Sequence, residues 1–236
     1  YKEQGCGGVF IHPRLGLITE YLSPTWNEMV KYTVDKGREL GLEVWLYDEN
    51  SYPSGFAGGH VPREMPEAFN RGQGLKPTAA DTMPADVSKY FVIVAEEDGK
   101  FENVTDRAAS MAGRPGRFYL YEKTFYQPSP WYAGGPYVDL LAHGVTDKFM
   151  EITMQGYEKT FGGDLKGNVK GVFTDEPEIV SPGGVRWTPD LFDVFRSEYG
   201  YDLSDCLPQL HEEIGDWRKV RHDYFQLLNR LFVERW

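Results

Sequence analysis

Cysteine is nearly absent from this 236-residue chain: Cys6 and Cys206 are the only two, 200 positions apart (206 minus 6) and in no CxxC spacing. That excludes a disulfide framework and a thiolate zinc site. No run reaches the ~18 apolar residues of a spanning helix, so no membrane partner is expected. Basic charge is also short, with 25 Lys and Arg against 36 Asp and Glu, and the formal net charge of -11 would repel a phosphate backbone. Nucleic acid is therefore not an expected partner. No GxGxxG or Walker pattern follows any apolar run, which removes the usual nucleotide-binding signatures. A basic-then-apolar leader is missing too. The chain begins at Tyr1 rather than Met and stops at Trp236 inside an apolar helical pattern, so it reads as a fragment cut at both ends.

Aromatic side chains, by contrast, are plentiful: they make up 15% of the residues, with six Trp and fifteen Tyr. This is more than a core needs and suits a surface that stacks against flat apolar faces such as sugar rings.

The apolar pattern alternates between strand-like and helix-like stretches. GVFI at 8–11 reads as a buried parallel strand that breaks into His12-Pro13-Arg14. Ser23 as N-cap, Pro24 at the first helical position and Gly41 as terminator bracket a helix, and 42–47 reads as the next strand, running into Asp48-Glu49-Asn50. From Ser51 to about Pro84 the chain is Gly-, Pro- and Ala-rich and carries no core pattern, so it reads as loop. Residues 89–95 and 101–104 flank Asp98-Gly99, a hairpin signal, and 117–125 alternates like a third strand, so 88–126 is expected to form a small β module. The strand–helix rhythm resumes with a strand at 137–141, a helix to Gly162, a strand at 169–174 ending in Asp175-Glu176-Pro177, a helix capped near Thr188 and closed by Gly200, and a last helix from Asp216.

Four strands joined by single crossovers predict adjacent parallel strands at 8–12, 43–48, 137–141 and 169–174, with polar clusters at their C-terminal ends. The expected fold class is α/β, a partial (β/α)8 TIM barrel holding about strands two to five, with an inserted β module. The expected division is 1–64 as barrel, 65–130 as inserted loop and β module, and 131–236 as barrel with its helices.

The strand ends supply His12, Arg14, Asp48, Glu49, Asn50, Asp139, Asp175 and Glu176. Two carboxyls on different strands facing one mouth are what glycoside hydrolysis requires, one protonating the leaving oxygen and the other attacking or activating water. Strand alternation places Trp45, Tyr47 and Glu49 on one side and Val172, Thr174 and Glu176 on one side, which favours the two glutamates as the reacting pair and the aspartates as supports. Pro177 is expected to hold Glu176 extended. His12, Arg14, Asp48, Asn50, Tyr52, Asp139 and Asp175 are the candidate sugar contacts, and Tyr47, Tyr52, Trp131 and Tyr132 the aromatics placed to stack. Asp139 has a bland alternative as a partner for Arg14.

GGVFIHPRLGL, EVWLYDENSYPSGFAGGHV, YVDLL and VFTDEPE, followed by WTPDLFDVFRSEYGYDL, together resemble glycoside hydrolase family 106, the α-L-rhamnosidase-like enzymes, over residues 5–60 and 137–236. The resemblance implies a (β/α)8 catalytic domain in a larger multidomain protein, an inverting mechanism, a calcium ion near the sugar hydroxyls, and Glu49 and Glu176 as the catalytic pair. Glu176 is favoured as acid and Glu49 as base, with the two roles open to exchange. The glycone, rhamnose or a similar sugar, stays open. So do a retaining β-galactosidase-like glycosidase and an inactive barrel that only binds carbohydrate. A metal-dependent isomerase or aldolase would call for several His ligands or a strand-end Lys.

Overall fold

The computed structural model describes residues 1–236. In chain order its elements are β1 (Gly8–Ile11), α1 (Pro24–Leu40), β2 (Glu43–Tyr47), α2 (His60–Glu64), α3 (Glu67–Asn70), β3 (Gly74–Thr82), β4 (Val92–Glu97), β5 (Lys100–Asn103), β6 (Pro115–Thr124), α4 (Val145–Ile152), α5 (Met154–Thr160), α6 (Leu165–Asn168), β7 (Val172–Phe173), β8 (Val185–Arg186), α7 (Leu191–Tyr199), α8 (Leu203–Cys206) and α9 (Trp217–Arg235). They divide into two compact units, one of residues 1–69 and 127–178, the other of 70–126 and 179–236.

The first unit is built on a three-stranded parallel sheet ordered β1-β2-β7. Ser23 Oγ accepts the Trp26 N–H at 3.2 Å to start α1, and Gly41 in the left-handed conformation ends it. That helix carries the chain back so that Gly8 to Ile11 pair in parallel with Glu43 to Leu46. Gly37 lets the helix lie close to the sheet, because a Cβ there would sit 2.5 Å from Val44 Cγ2. Trp26, Val30 and Val34 of α1 bury against Val44 and Leu46, with Tyr21, Tyr157 and Val169 completing the cluster. Burial of this apolar stripe is the main term holding helix to sheet. The opposite face of the sheet carries Phe10, Trp45 and Phe173, with ring centroids 5.6 Å apart for Phe10 and Trp45 and 6.0 Å for Phe10 and Phe173.

The second unit is a five-stranded antiparallel sheet ordered β5-β4-β6-β3-β8. Asp98 and Gly99, at φ 51° and 75°, make the two-residue turn between Glu97 and Lys100 that joins β4 to β5. Met83, Ile93, Val104, Ala108, Phe118 and Leu120 form its core.

A (β/α)8 barrel pattern is not what the chain forms, and three segments show why the sequence suggested one. Residues 137–141 are not a strand. Tyr137, Val138, Leu140 and Leu141 are all fully buried, and the Asp139 N–H donates to the Ala68 carbonyl at 2.7 Å rather than to a sheet neighbour. A continuous apolar run gives no period to distinguish a buried strand from a buried irregular segment. The stretch read as loop contains instead the nine-residue β3, whose Gly74 to Ala80 pair with Thr124 to Phe118 of β6. Apart from the buried Leu75 its side chains show no apolar alternation, so the partner ladder makes it a strand rather than its own pattern. β8 pairs with Gly74 and Leu75 only. Beyond them β3 is an edge, where Pro77 is tolerated.

Finally, α7 and α9, expected as barrel helices, belong to the unit with the antiparallel sheet. Trp187, next to β8, packs edge-on to Phe91 with centroids 4.9 Å apart, and the Tyr224 hydroxyl of α9 donates to the Arg186 carbonyl at 2.7 Å.

Candidate active site at the ends of the parallel strands

β1, β2 and β7 run the same way, so the residues that follow them gather at one end of the sheet. At the centre stands Tyr47, only 2% exposed. The His12 ring stacks on it at 3.8 Å between centroids, and Phe173 stacks against it at 5.7 Å. The Tyr47 hydroxyl donates to Asp175 Oδ2. The Arg14 guanidinium lies 5.8 Å from the Tyr47 ring centroid and 5.3 Å from that of Tyr52, a cation–π arrangement. Tyr52 meets Trp131 edge-on at 4.9 Å, and the Trp131 indole N–H donates to the Tyr52 carbonyl at 2.5 Å. His12 and Arg14 are exposed, while Tyr52, Trp131 and Asp175 are half-buried.

Beneath this surface the buried Asp48 ties two strand ends together. Its Oδ1 accepts the Ser54 hydroxyl and its Oδ2 the Thr174 hydroxyl, each at 2.6 Å. Ser54 exchanges further bonds with Asp175: its N–H donates to the Asp175 carbonyl at 2.8 Å, and its Oγ accepts the Asp175 N–H at 2.9 Å. Strand alternation set Thr174 with Glu176 and apart from the two aspartates, whereas here Asp48 meets Thr174 and Asp175 meets Tyr47, so the two aspartates lie on different sides.

Glu49 is completely buried and accepts the backbone N–H groups of Asn50, Gly55, Phe56, Ala57 and Gly58. The donors Asn50, Gly55, Phe56 and Ala57 lie at 2.8, 3.2, 3.0 and 2.6 Å. The two carboxyls favoured as the reacting pair therefore occupy unlike settings, since Glu176 is exposed. Its φ of 45° is left-handed rather than the extended conformation expected before Pro177. A non-glycine residue rarely takes this backbone, and such outliers gather at functional sites.

Asn50 directs its N–H to Glu49, and its buried Oδ1 has no hydrogen-bond donor. Asp139 is also buried and its Oδ1 accepts the Leu141 N–H at 3.0 Å, a role in holding the 139–142 turn. Ser54, the bond from the Thr174 hydroxyl to Asp48 and the N–H groups of 55–58 left no direct sign in the sequence. The one available signal was the glycine spacing in SGFAGG, which permits the positive φ angles such a loop needs.

Burial pushes the Glu49 carboxyl up to about 8, against the pull of the surrounding N–H groups. Asp48 is raised as well, by burial, against its bonds to Ser54 and Thr174. His12 is lowered by burial and by Arg14, with Asp175 acting the other way, which favours the neutral imidazole. Burial, then the bond to Asp175, raises the Tyr47 phenol far enough to keep it protonated.

Glu49 binds its proton more tightly folded than unfolded, so between the ordinary glutamate value of 4.5 and about 8 the native state holds the extra proton. Its contribution is complete below the lower value and is lost as the pH rises through the upper one. The urea-unfolding free energy should therefore fall from pH 5 to pH 8, and Glu49→Gln should flatten that slope. A slope unchanged by the substitution would contradict the assignment.

No group of three or more His, Cys, Asp or Glu side chains is arranged to hold a metal ion. Calcium takes roughly six to eight oxygen ligands, whereas the Asp48 and Glu49 oxygens are already engaged by hydroxyl and N–H donors. The residues at these strand ends do not fit the calcium site that the resemblance implies.

Comparison of the chain with protein-family models, curated proteins and solved structures gave no match.

Proposed function

We propose that the chain is carbohydrate-active, a glycoside hydrolase acting on a terminal α-L-rhamnosyl or similar sugar, with Glu176 as a reacting carboxyl. The observation that carries this reading is the strand-end cluster, in which exposed His12 and Arg14 and half-buried Tyr52, Trp131 and Asp175 surround a tyrosine spine. Flat rings beside planar polar groups suit a sugar, which offers apolar C–H faces and a rim of hydroxyls. Neutral His12 can donate to or accept from a hydroxyl, and the Arg14 fork can donate to ring or hydroxyl oxygens. Glu176, next in the chain to Asp175 and exposed, can reach the glycosidic oxygen as general acid. The resemblance of YDEN and TDEP to family 106 motifs supports the same class of reaction.

One observation favours a second reading, a protein that binds carbohydrate without cleaving it. Both Glu49 oxygens are taken up by backbone N–H groups, so a two-carboxyl mechanism lacks the second group that the sequence suggested. A panel of aryl glycosides, assayed with and without a calcium chelator, tests both. Release of aglycone from one glycoside is the expected result, with the anomer formed first, read by NMR, reporting inversion or retention. Binding without turnover would sustain the second reading, and neither binding nor turnover would remove both.

A further inference from the structure

We propose that Glu49 is a positioning residue: its carboxyl anchors loop 50–58, and through that loop it sets the places of Tyr52 and Trp131 at the candidate site. This rests on the carbohydrate reading for the meaning of the site, but not for the role of the anchor.

The loop closes around the carboxyl rather than around a strand or helix partner. Gly55, Ala57 and Gly58 have φ of 135°, 50° and 57°. These left-handed residues help four successive N–H groups, from Gly55 to Gly58, converge on the two oxygens of Glu49. Buried N–H groups need acceptors, and here one side chain supplies them for most of a loop. The packing leaves little freedom to close otherwise. A Cβ on Gly55 would sit 2.7 Å from Leu140 Cδ2, and one on Gly58 would sit 2.7 Å from Tyr21 Cδ1.

The same loop delivers its other residues to the site. Tyr52 lies under Arg14 and its carbonyl accepts the Trp131 indole N–H, while Ser54 joins Asp48 and Asp175. With no exposed surface and every near donor a backbone N–H, Glu49 meets neither water nor substrate while the loop is closed.

Hydrogen exchange and NMR of the chain test this without any need for turnover. In Glu49→Gln an NH2 group faces the N–H donors. Exchange protection of the Gly55, Phe56, Ala57 and Gly58 amides should fall by roughly 2- to 10-fold, the net worth of one hydrogen bond. Protection of Val44 to Tyr47 should hold, and the Trp131 indole resonance should move. A second measurement on the unaltered chain covers the case in which the variant does not fold. The amide proton shifts of 55–58 should titrate together with the Glu49 carboxyl carbon, with one midpoint well above that of an exposed glutamate. Retained loop protection in Glu49→Gln, or a Glu49 titration to which the loop amides do not respond, would overturn the proposal. So would loss of glycoside turnover in Glu49→Gln with protection and the Trp131 resonance unchanged, which would mark Glu49 as a reacting group. If no glycoside is cleaved at all, the exchange and titration results still decide, so failure of the functional reading and failure of the anchor are told apart.

Discussion

Glu176→Gln should lower turnover of an aryl glycoside by roughly 10²- to 10⁴-fold, the usual contribution of a general acid or base. The fold should be unchanged, because Glu176 is exposed and its side chain supports no core contact. The pattern across substrates assigns the role. A general acid matters least when the leaving group is a good one, so the loss should shrink with an activated aryl group such as a dinitrophenolate. A general base would show equal losses for all leaving groups and partial rescue by azide, which can replace the activated water. Steady-state kinetics on three or four aryl glycosides of graded leaving-group pKa separates the two. Near-normal rates in Glu176→Gln would move suspicion to Asp175, half-buried beside it and held by Tyr47.

Trp26→Ala should cost about 3–5 kcal/mol of stability, the range for removing a large aromatic from a core. Trp26 is 6% exposed and packs between α1 and the parallel sheet, with Tyr21 edge-on at 5.5 Å. Its indole N–H donates to the Tyr157 hydroxyl at 3.0 Å, so truncation removes packing from α1, β2 and α5 at once. With domain stabilities of about 5–15 kcal/mol, such a loss should be plain in a urea titration followed by circular dichroism. A change below about 1 kcal/mol would mean that the α1 face contributes little to the unit.

Much of the local structure was legible because its cause is local. The Ser23 cap, Pro24 and Gly41 bracket α1 in the sequence as they do in the structure, and Asp98-Gly99 announces the β4–β5 turn. Segments whose conformation depends on distant partners were not. β3 is a strand because β6 lies beside it, and its Thr, Ala and Lys side chains carry no trace of that. Residues 137–141 are apolar enough to be a buried strand and are buried without being one.

The same division runs through the site. The strand-end positions of His12, Arg14, Tyr47 and Asp175 followed from counting along apolar runs. The turning of the Glu49 carboxyl into its own loop depends on backbone angles at 55, 57 and 58, which only the glycines hint at.

The central expectation is that a sugar binds at the ends of β1, β2 and β7. Titration of the chain with L-rhamnose and a panel of other monosaccharides, followed by 1H–15N NMR, asks this residue by residue. Saturable shifts are predicted at His12, Arg14, Tyr52 and Asp175 and at the Trp131 indole, for one sugar above the others, with the β4–β5 hairpin unmoved. Saturable shifts confined to other parts of the chain, or none with any sugar of the panel, would contradict it.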